Sequence, residues 1–213
     1  MIIYYGLLQV YIFLREILFV ILKPRIWKFY LYFSLEYLFF SPYYYVNKKS
    51  ENDHIFGFTP LFTINRIIKK ILKNSTVNPK SFLDVGCGDS RLVFFLNLQY
   101  LFRSMGIDSN QKLIHKANLI QHALNLNDID VIEGDFLDYS WAEYAIIYLA
   151  WTTFKKGTVN KIMKKIKEEV LEGTIVISLS FPLTGNHFQI IDQSSYLFSW
   201  GRTTVYTQKR VKL

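Results

Sequence analysis

Residues 82–91 read FLDVGCGDSR. A short apolar run ends in an acid, Asp84, and two glycines follow, Gly86 and Gly88, with Cys87 between them. Glycine enters backbone conformations that other residues avoid, so a loop of this kind turns sharply and lets a ligand come close to the main chain. Outward from it, strand and helix patterns alternate. The spacing predicts a strand over Phe82–Val85, a helix over Ser90–Tyr100, a strand over Met105–Asp108 and a helix over Asn110–Leu126. Strands over Asp130–Ile132 and Tyr144–Ala150 come next, then a helix over Val159–Leu171 and a strand over Thr174–Ser180. Such alternation implies an α/β fold with a parallel, doubly wound sheet that binds ligands at the carboxyl ends of its strands. The tail differs: Phe188–Ile191, Tyr196–Ser199 and Thr203–Gln208 are extended segments with a turn at Trp200-Gly201, so the chain is expected to close in an antiparallel hairpin.

The loop is not a dinucleotide fingerprint, because Arg91 stands where that motif needs a third glycine, and it is not a P-loop, because no Gly-Lys-Ser/Thr follows. What remains, an acid followed by glycine, any residue and glycine, resembles motif I of class I S-adenosylmethionine-dependent methyltransferases. Two further acids fall at the ends of the next strands. Asp108 closes the second in MGIDSN, where a carboxylate can accept both hydroxyls of a ribose. Asp135 follows the third in IEGDF, where a carboxylate can accept an adenine amino group while Phe136 covers the ring. The cofactor expected from this set is S-adenosyl-L-methionine, with no metal. Cys87 has no histidine partner recognisable by spacing and is read as loop filler.

After the fourth strand the chain reads YLAWTTF, residues 148–154. Enzymes that methylate base amines of nucleic acids carry Asn or Asp, two prolines and an aromatic there, so Trp151-Thr152-Thr153 argues against a nucleic-acid acceptor. Trp151 is expected to wall the acceptor site beside Thr152, since an aromatic face attracts a sulfonium or ammonium group. The layout as a whole is similar to the membrane-anchored protein-lysine methyltransferases whose mitochondrial members modify the ATP synthase c subunit and the adenine nucleotide translocator, with their small prokaryotic relatives. The likeness lies in FGFTPLFTINRIIKKIL at 56–72, DVGCGDSRLV at 84–93 and FSWGRTTVYTQ at 198–208. Ser90 departs from the glycine usual at its place. The resemblance implies a Rossmann-like class I methyltransferase sheet, a lysine acceptor on a protein, and a role for Phe58, Thr59 and Pro60 in covering the cofactor. Thr59-Pro60 also reads as a helix start, with Leu61, Ile64, Ile67, Ile68 and Ile71 following at helical spacing. His54 and His187 are the candidate proton acceptors for a lysine.

The segment before Lys48 is of different character. From Ile2 to Leu22 only Gln9, Arg15 and Glu16 interrupt an apolar and aromatic run, long enough to cross a bilayer as a helix. Lys23, Arg25 and Lys28 follow, which places the remainder in the cytoplasm by the positive-inside rule. Residues 26–46 are aromatic but carry polar groups and read as an in-plane or re-entrant helix. The polar run NKKSENDH at 47–54 reads as a linker, so residues 1–47 are expected to be membrane-anchor or interfacial helices in contact with lipid and 48–213 the catalytic domain. The formal net charge of +8 suits nucleic acid, anionic lipid or an acidic partner without choosing among them. A single cysteine allows no internal disulfide. A lipid- or quinone-type methyltransferase at the membrane and a non-catalytic membrane scaffold are the alternatives.

Overall fold

The structure, a computed structural model, describes residues 2–39, 57–74 and 79–212. Its centre is a seven-stranded sheet in the order β3-β2-β1-β4-β5-β7-β6. The strands are β1 (Ser81–Val85), β2 (Arg103–Asp108), β3 (Ile129–Glu133), β4 (Ile146–Leu149), β5 (Ile175–Leu179), β6 (Phe188–Phe198) and β7 (Gly201–Arg210). β1 to β5 run parallel, and β7 inserts antiparallel beside β5 before β6 pairs on its outer side. The expected alternation and terminal hairpin are therefore both present. β6 is one long strand where two extended pieces were expected, with a register shift between Ile190 and Asp192, the kind of local extra residue that bends a strand without ending it.

A central strand buried on both faces is largely apolar, and β1, β4 and β5 are so apart from Ser81, Asp84 and Ser178. Phe82, Ile146, Tyr148, Ile175 and Ile177 join one apolar layer, and their neighbours Leu83, Ile147, Leu149 and Val176 join the other. The helices are α1 (Ile2–Ile21), α2 (Trp27–Phe39), α3 (Leu61–Asn74), α4 (Arg91–Tyr100), α5 (Gln111–Leu124) and α6 (Lys156–Glu169), and a single 3-10 turn, Pro24–Ile26, separates the first two. The first layer takes its helical side from α3, α4 and α5; the second takes Ile162 and Ile166 of α6.

Two N-terminal helices lie where apolar helices were expected, but no helix among the described residues is long and apolar enough to cross a membrane. The span expected over Ile2–Leu22 is corrected, for a physical reason. Glu16 of α1 is only 5% exposed, and its Oε1 accepts the backbone N–H of Leu61 at 2.5 Å. Leu61 opens α3, and the first N–H groups of a helix have no partner within it. Glu16 supplies one across 45 residues of sequence. Gln9 Nε2 likewise donates to the Ser199 carbonyl at 2.5 Å, in the turn between β6 and β7. Two of the three polar residues that interrupt the apolar run, Gln9 and Glu16, are thus spent on the core. Val20, Ile26, Phe29 and Phe33 enter the same apolar layer as Ile64, Phe94 and Phe95. The linker expected at 47–54 and the boundary at 47/48 lie outside the described residues.

Candidate active site

The site is built on the carboxyl ends of β1, β2, β3 and β4. Gly86 and Gly88 take φ of +78° and +56°, the left-handed region that motivates glycine there. The N–H groups of Gly86 and Cys87 both donate to the Ile107 carbonyl, at 2.9 and 3.1 Å, which clips the loop to β2. Asp108 ties the neighbouring loops together: Oδ2 accepts the Gly88 N–H and Oδ1 the Asn110 N–H, each at 2.8 Å. Its carbonyl accepts the Gly134 N–H at 3.1 Å, which brings in the loop after β3.

Asp84 sits on β1 in register with Gly106 and Tyr148. It is 3% exposed, and burial, then the nearby Asp108 and Asp89, push its carboxyl well above the usual range. Asp89 and Asp108 thus oppose the ionisation of Asp84. The neighbouring Arg91 is committed to Asp89, with Nε 3.0 Å from Oδ1 and Nη2 against Oδ2. A cation carrying an ammonium group would relieve this repulsion and find carboxylate acceptors, and above Gly86 the nearest atom to an added Cβ is Phe154 Cζ at 3.7 Å, which leaves the loop's main chain open to approach.

Of Phe58, Thr59 and Pro60, Phe58 lies against Arg91 just beyond this loop, while Thr59 and Pro60 bond to β4 and α3. The Arg91 guanidinium lies 4.4 Å from the Phe58 ring centroid, and the Phe58 N–H donates to Ser199 Oγ at 2.9 Å. Thr59 Oγ1 is 2.6 Å from the hydroxyl of the buried Tyr148, and the Pro60 carbonyl accepts the first turn of α3 from Thr63 and Ile64. Cys87 packs its Sγ so close to Gly106 that a Cβ there would stand 2.8 Å from it. Burial, then Asp108 and Asp84, push this thiol upward, away from the thiolate that a nucleophile needs.

The remaining expected residues are placed less uniformly. Asp135 is exposed and caps the short turn Phe136–Asp138, accepting the Leu137 N–H at 2.9 Å. The Phe136 ring stacks on Phe154, centroids 5.8 Å apart and 6° from parallel. Trp151 is 3% exposed and packs in the layer with Leu83, Val85 and Ile162. It is part of the core rather than an open wall, and its Nε1 has no partner. Thr152 is exposed, with Oγ1 3.0 Å from Ser180 Oγ. His187 adjoins the start of β6 at the opposite edge of the sheet, where β6 begins against Arg210, so it does not reach the site. His54 lies outside the described residues.

Sequence reasoning missed Phe154, Ser180 and Glu16. Ser180 adopts φ +68° directly after β5, and no glycine marks that turn. Ser90 also has a positive φ, +59°, and makes no side-chain cap to α4. The glycine usual at its place is thus explained by backbone conformation rather than capping. Ser90 Oγ instead meets Cys87 Sγ at 3.2 Å.

An RNA methyltransferase from Salinibacter ruber in complex with S-adenosyl-L-homocysteine superposes with a TM-score of 0.55 at 20% identity, covering 70% of this chain and 92% of its own. A putative methyltransferase, yhhF, from Escherichia coli gives 0.57 at 13% identity over 70% and 85%. A point mutant of MtNAS in complex with S-adenosylmethionine gives 0.56 at 13% identity over 98% and 76%. No curated protein matches the sequence. At such identities the likeness is one of fold, and two of these neighbours hold the expected cofactor or its demethylated product. A family model described as a methyltransferase domain matches residues 61–175, from α3 through the glycine loop and the strand-end acids to the start of β5. The chain belongs to this methyltransferase family.

Proposed function

We propose that the protein transfers a methyl group from S-adenosyl-L-methionine to the side-chain amine of a lysine on a membrane-associated protein. The observation that carries the reaction is the gathering of Asp84, Asp89 and Asp108 around a glycine loop whose glycines take positive φ. Bound there, the cofactor supplies a methyl on a positively charged sulfur for in-line displacement. The chain's own residues bind and orient. Asp108 provides negative charge and fixes the Gly88 backbone, Asp84, whose ionisation burial opposes, gains a cationic partner when the cofactor binds, and Phe58, held on Arg91, shields the loop from water. Alignment and exclusion of water are the principal tasks in such a transfer.

Support for an amine acceptor comes from the residues after β4. Trp151 replaces the Asn or Asp expected of an enzyme for base amines, and Phe154, Thr152 and Ser180 line the carboxyl ends of β4 and β5. A lysine ammonium, with a reference pKa near 10.4, must lose its proton before transfer. Burial beside aromatic rings lowers that pKa, and the proton leaves to solvent. A nucleic-acid acceptor is the second reading, favoured by the likeness in fold to an RNA methyltransferase.

Incubating the full chain with methyl-labelled S-adenosylmethionine and host membranes plus RNA, then separating protein, lipid and nucleic acid, tests this. Label recovered as methyllysine supports the proposal; label in lipid or RNA moves the acceptor to that class.

A further inference from the structure

We propose that the outer face of α1, the Pro24–Ile26 turn and the start of α2 is a docking surface for an anionic lipid leaflet, on which the helices lie in plane without crossing. The proposal rests on the membrane side of the reading above and not on the acceptor. An amphipathic helix at a protein surface turns a polar face outward. α1 does not. Ile12, Glu16 and Val20 point to the core at helical spacing. On the opposite side Leu7, Tyr11, Leu14, Leu18 and Leu22 form a stripe at spacings of three and four, and all are at least half exposed, Leu22 at 78%. The stripe continues onto α2 through Trp27 and Leu31, four residues apart and 52% and 59% exposed. A contiguous apolar face of this extent on a monomer marks an interaction site.

Charge and aromatic placement identify the occupant. Before Ser34 the only acid is Glu16, which is buried. The basic residues are Arg15, Lys23, Arg25 and Lys28, the last three bunched at the corner between the helices. Exposed surface here is therefore apolar or cationic with no counter-charge of its own, which matches an acyl boundary flanked by anionic headgroups. Trp27 adds the interfacial signature: its Nε1 donates to the Val20 carbonyl at 2.8 Å while the ring stays half exposed. Crossing is excluded for α1 by its inner face, since withdrawing Glu16 and Gln9 from the core would leave the Leu61 N–H and the Ser199 carbonyl without these partners.

The test floats the full chain with vesicles of phosphatidylcholine alone and of phosphatidylcholine with about one-third phosphatidylserine. The chain should float with the mixed vesicles. Leu14→Glu with Leu18→Glu, both on the outer face, should lower the bound fraction about tenfold or more while leaving unfolding temperature and cofactor binding unchanged. Lys23→Gln with Arg25→Gln and Lys28→Gln should abolish the preference for phosphatidylserine. A wild-type chain that stays in solution, a double glutamate variant that floats like wild type, or a dimer that this variant dissociates would each overturn the proposal, the last by assigning the face to a second copy. No methyl acceptor enters the assay, so its failure leaves the methyl-transfer reading standing.

Discussion

Glutamine in place of Glu16 should remove a pH dependence of stability that the wild type carries. Burial raises the Glu16 carboxyl from 4.5 to about 7, against the opposing pull of the Leu61 and Phe62 N–H groups and Arg91. A carboxyl whose folded pKa exceeds its unfolded value binds its proton more tightly in the native state. Stability from this group is fully present below pH 4.5 and is lost as the pH rises to about 7, beyond which it is flat. With about 1.4 kcal/mol for each pH unit of that gap, the loss reaches about 3 kcal/mol. Glu16→Gln keeps a carbonyl for the Leu61 N–H and has no charge to desolvate, so its stability should not carry this slope. Chemical unfolding of both proteins from pH 4.5 to 8 gives the difference directly, and contributions shared by the two, such as that of Asp84, cancel. Curves that run parallel would refute the reasoning, because they would mean that Glu16 is not buried against α3.

Ser90→Gly should stabilise the fold by roughly 0.5–1 kcal/mol, since it relieves a non-glycine residue at φ +59°, and thermal unfolding would show it; a loss of stability would mean that the contact to Cys87 outweighs the strain. Trp151→Ala should destabilise by about 3–5 kcal/mol, as deletion of a buried aromatic does, whereas Trp151→Phe should be nearly neutral because it removes an indole N–H that has no partner. Equal losses from both substitutions would point to a ligand or water on Nε1 instead of packing.

Much of the fold could be read from periodicity. The strands β1, β2 and β5 and their helices repeat at 2.0 or 3.6 residues in apolar runs that the sheet then buries, and Asp84 and Asp108 fall where parallel strands end. Three features were not legible, because they depend on a partner remote in sequence, on the direction of a side chain or on a backbone angle. Glu16 looked like a charge within a span because its partner, Leu61, lies 45 residues on. Trp151 looked like a pocket wall because residue type cannot say which way a side chain turns at a strand end, and here it turns into the sheet layer with Val85 and Ile162. Ser180 carries no mark at all, since its φ of +68° is one that glycine or asparagine would have advertised.

Cofactor binding by the strand-end acids is the centre of the account, and titration calorimetry of the full chain with S-adenosylmethionine tests it most directly. Wild type should bind one equivalent saturably. Asp108→Ala removes a carboxylate that holds the Gly88 and Asn110 N–H groups and that this reading assigns to the cofactor, and should weaken binding by roughly 1.5–3 kcal/mol, about 10- to 150-fold. No heat of binding from the wild type, or equal affinity in the variant, would contradict the assignment of this loop as the cofactor site.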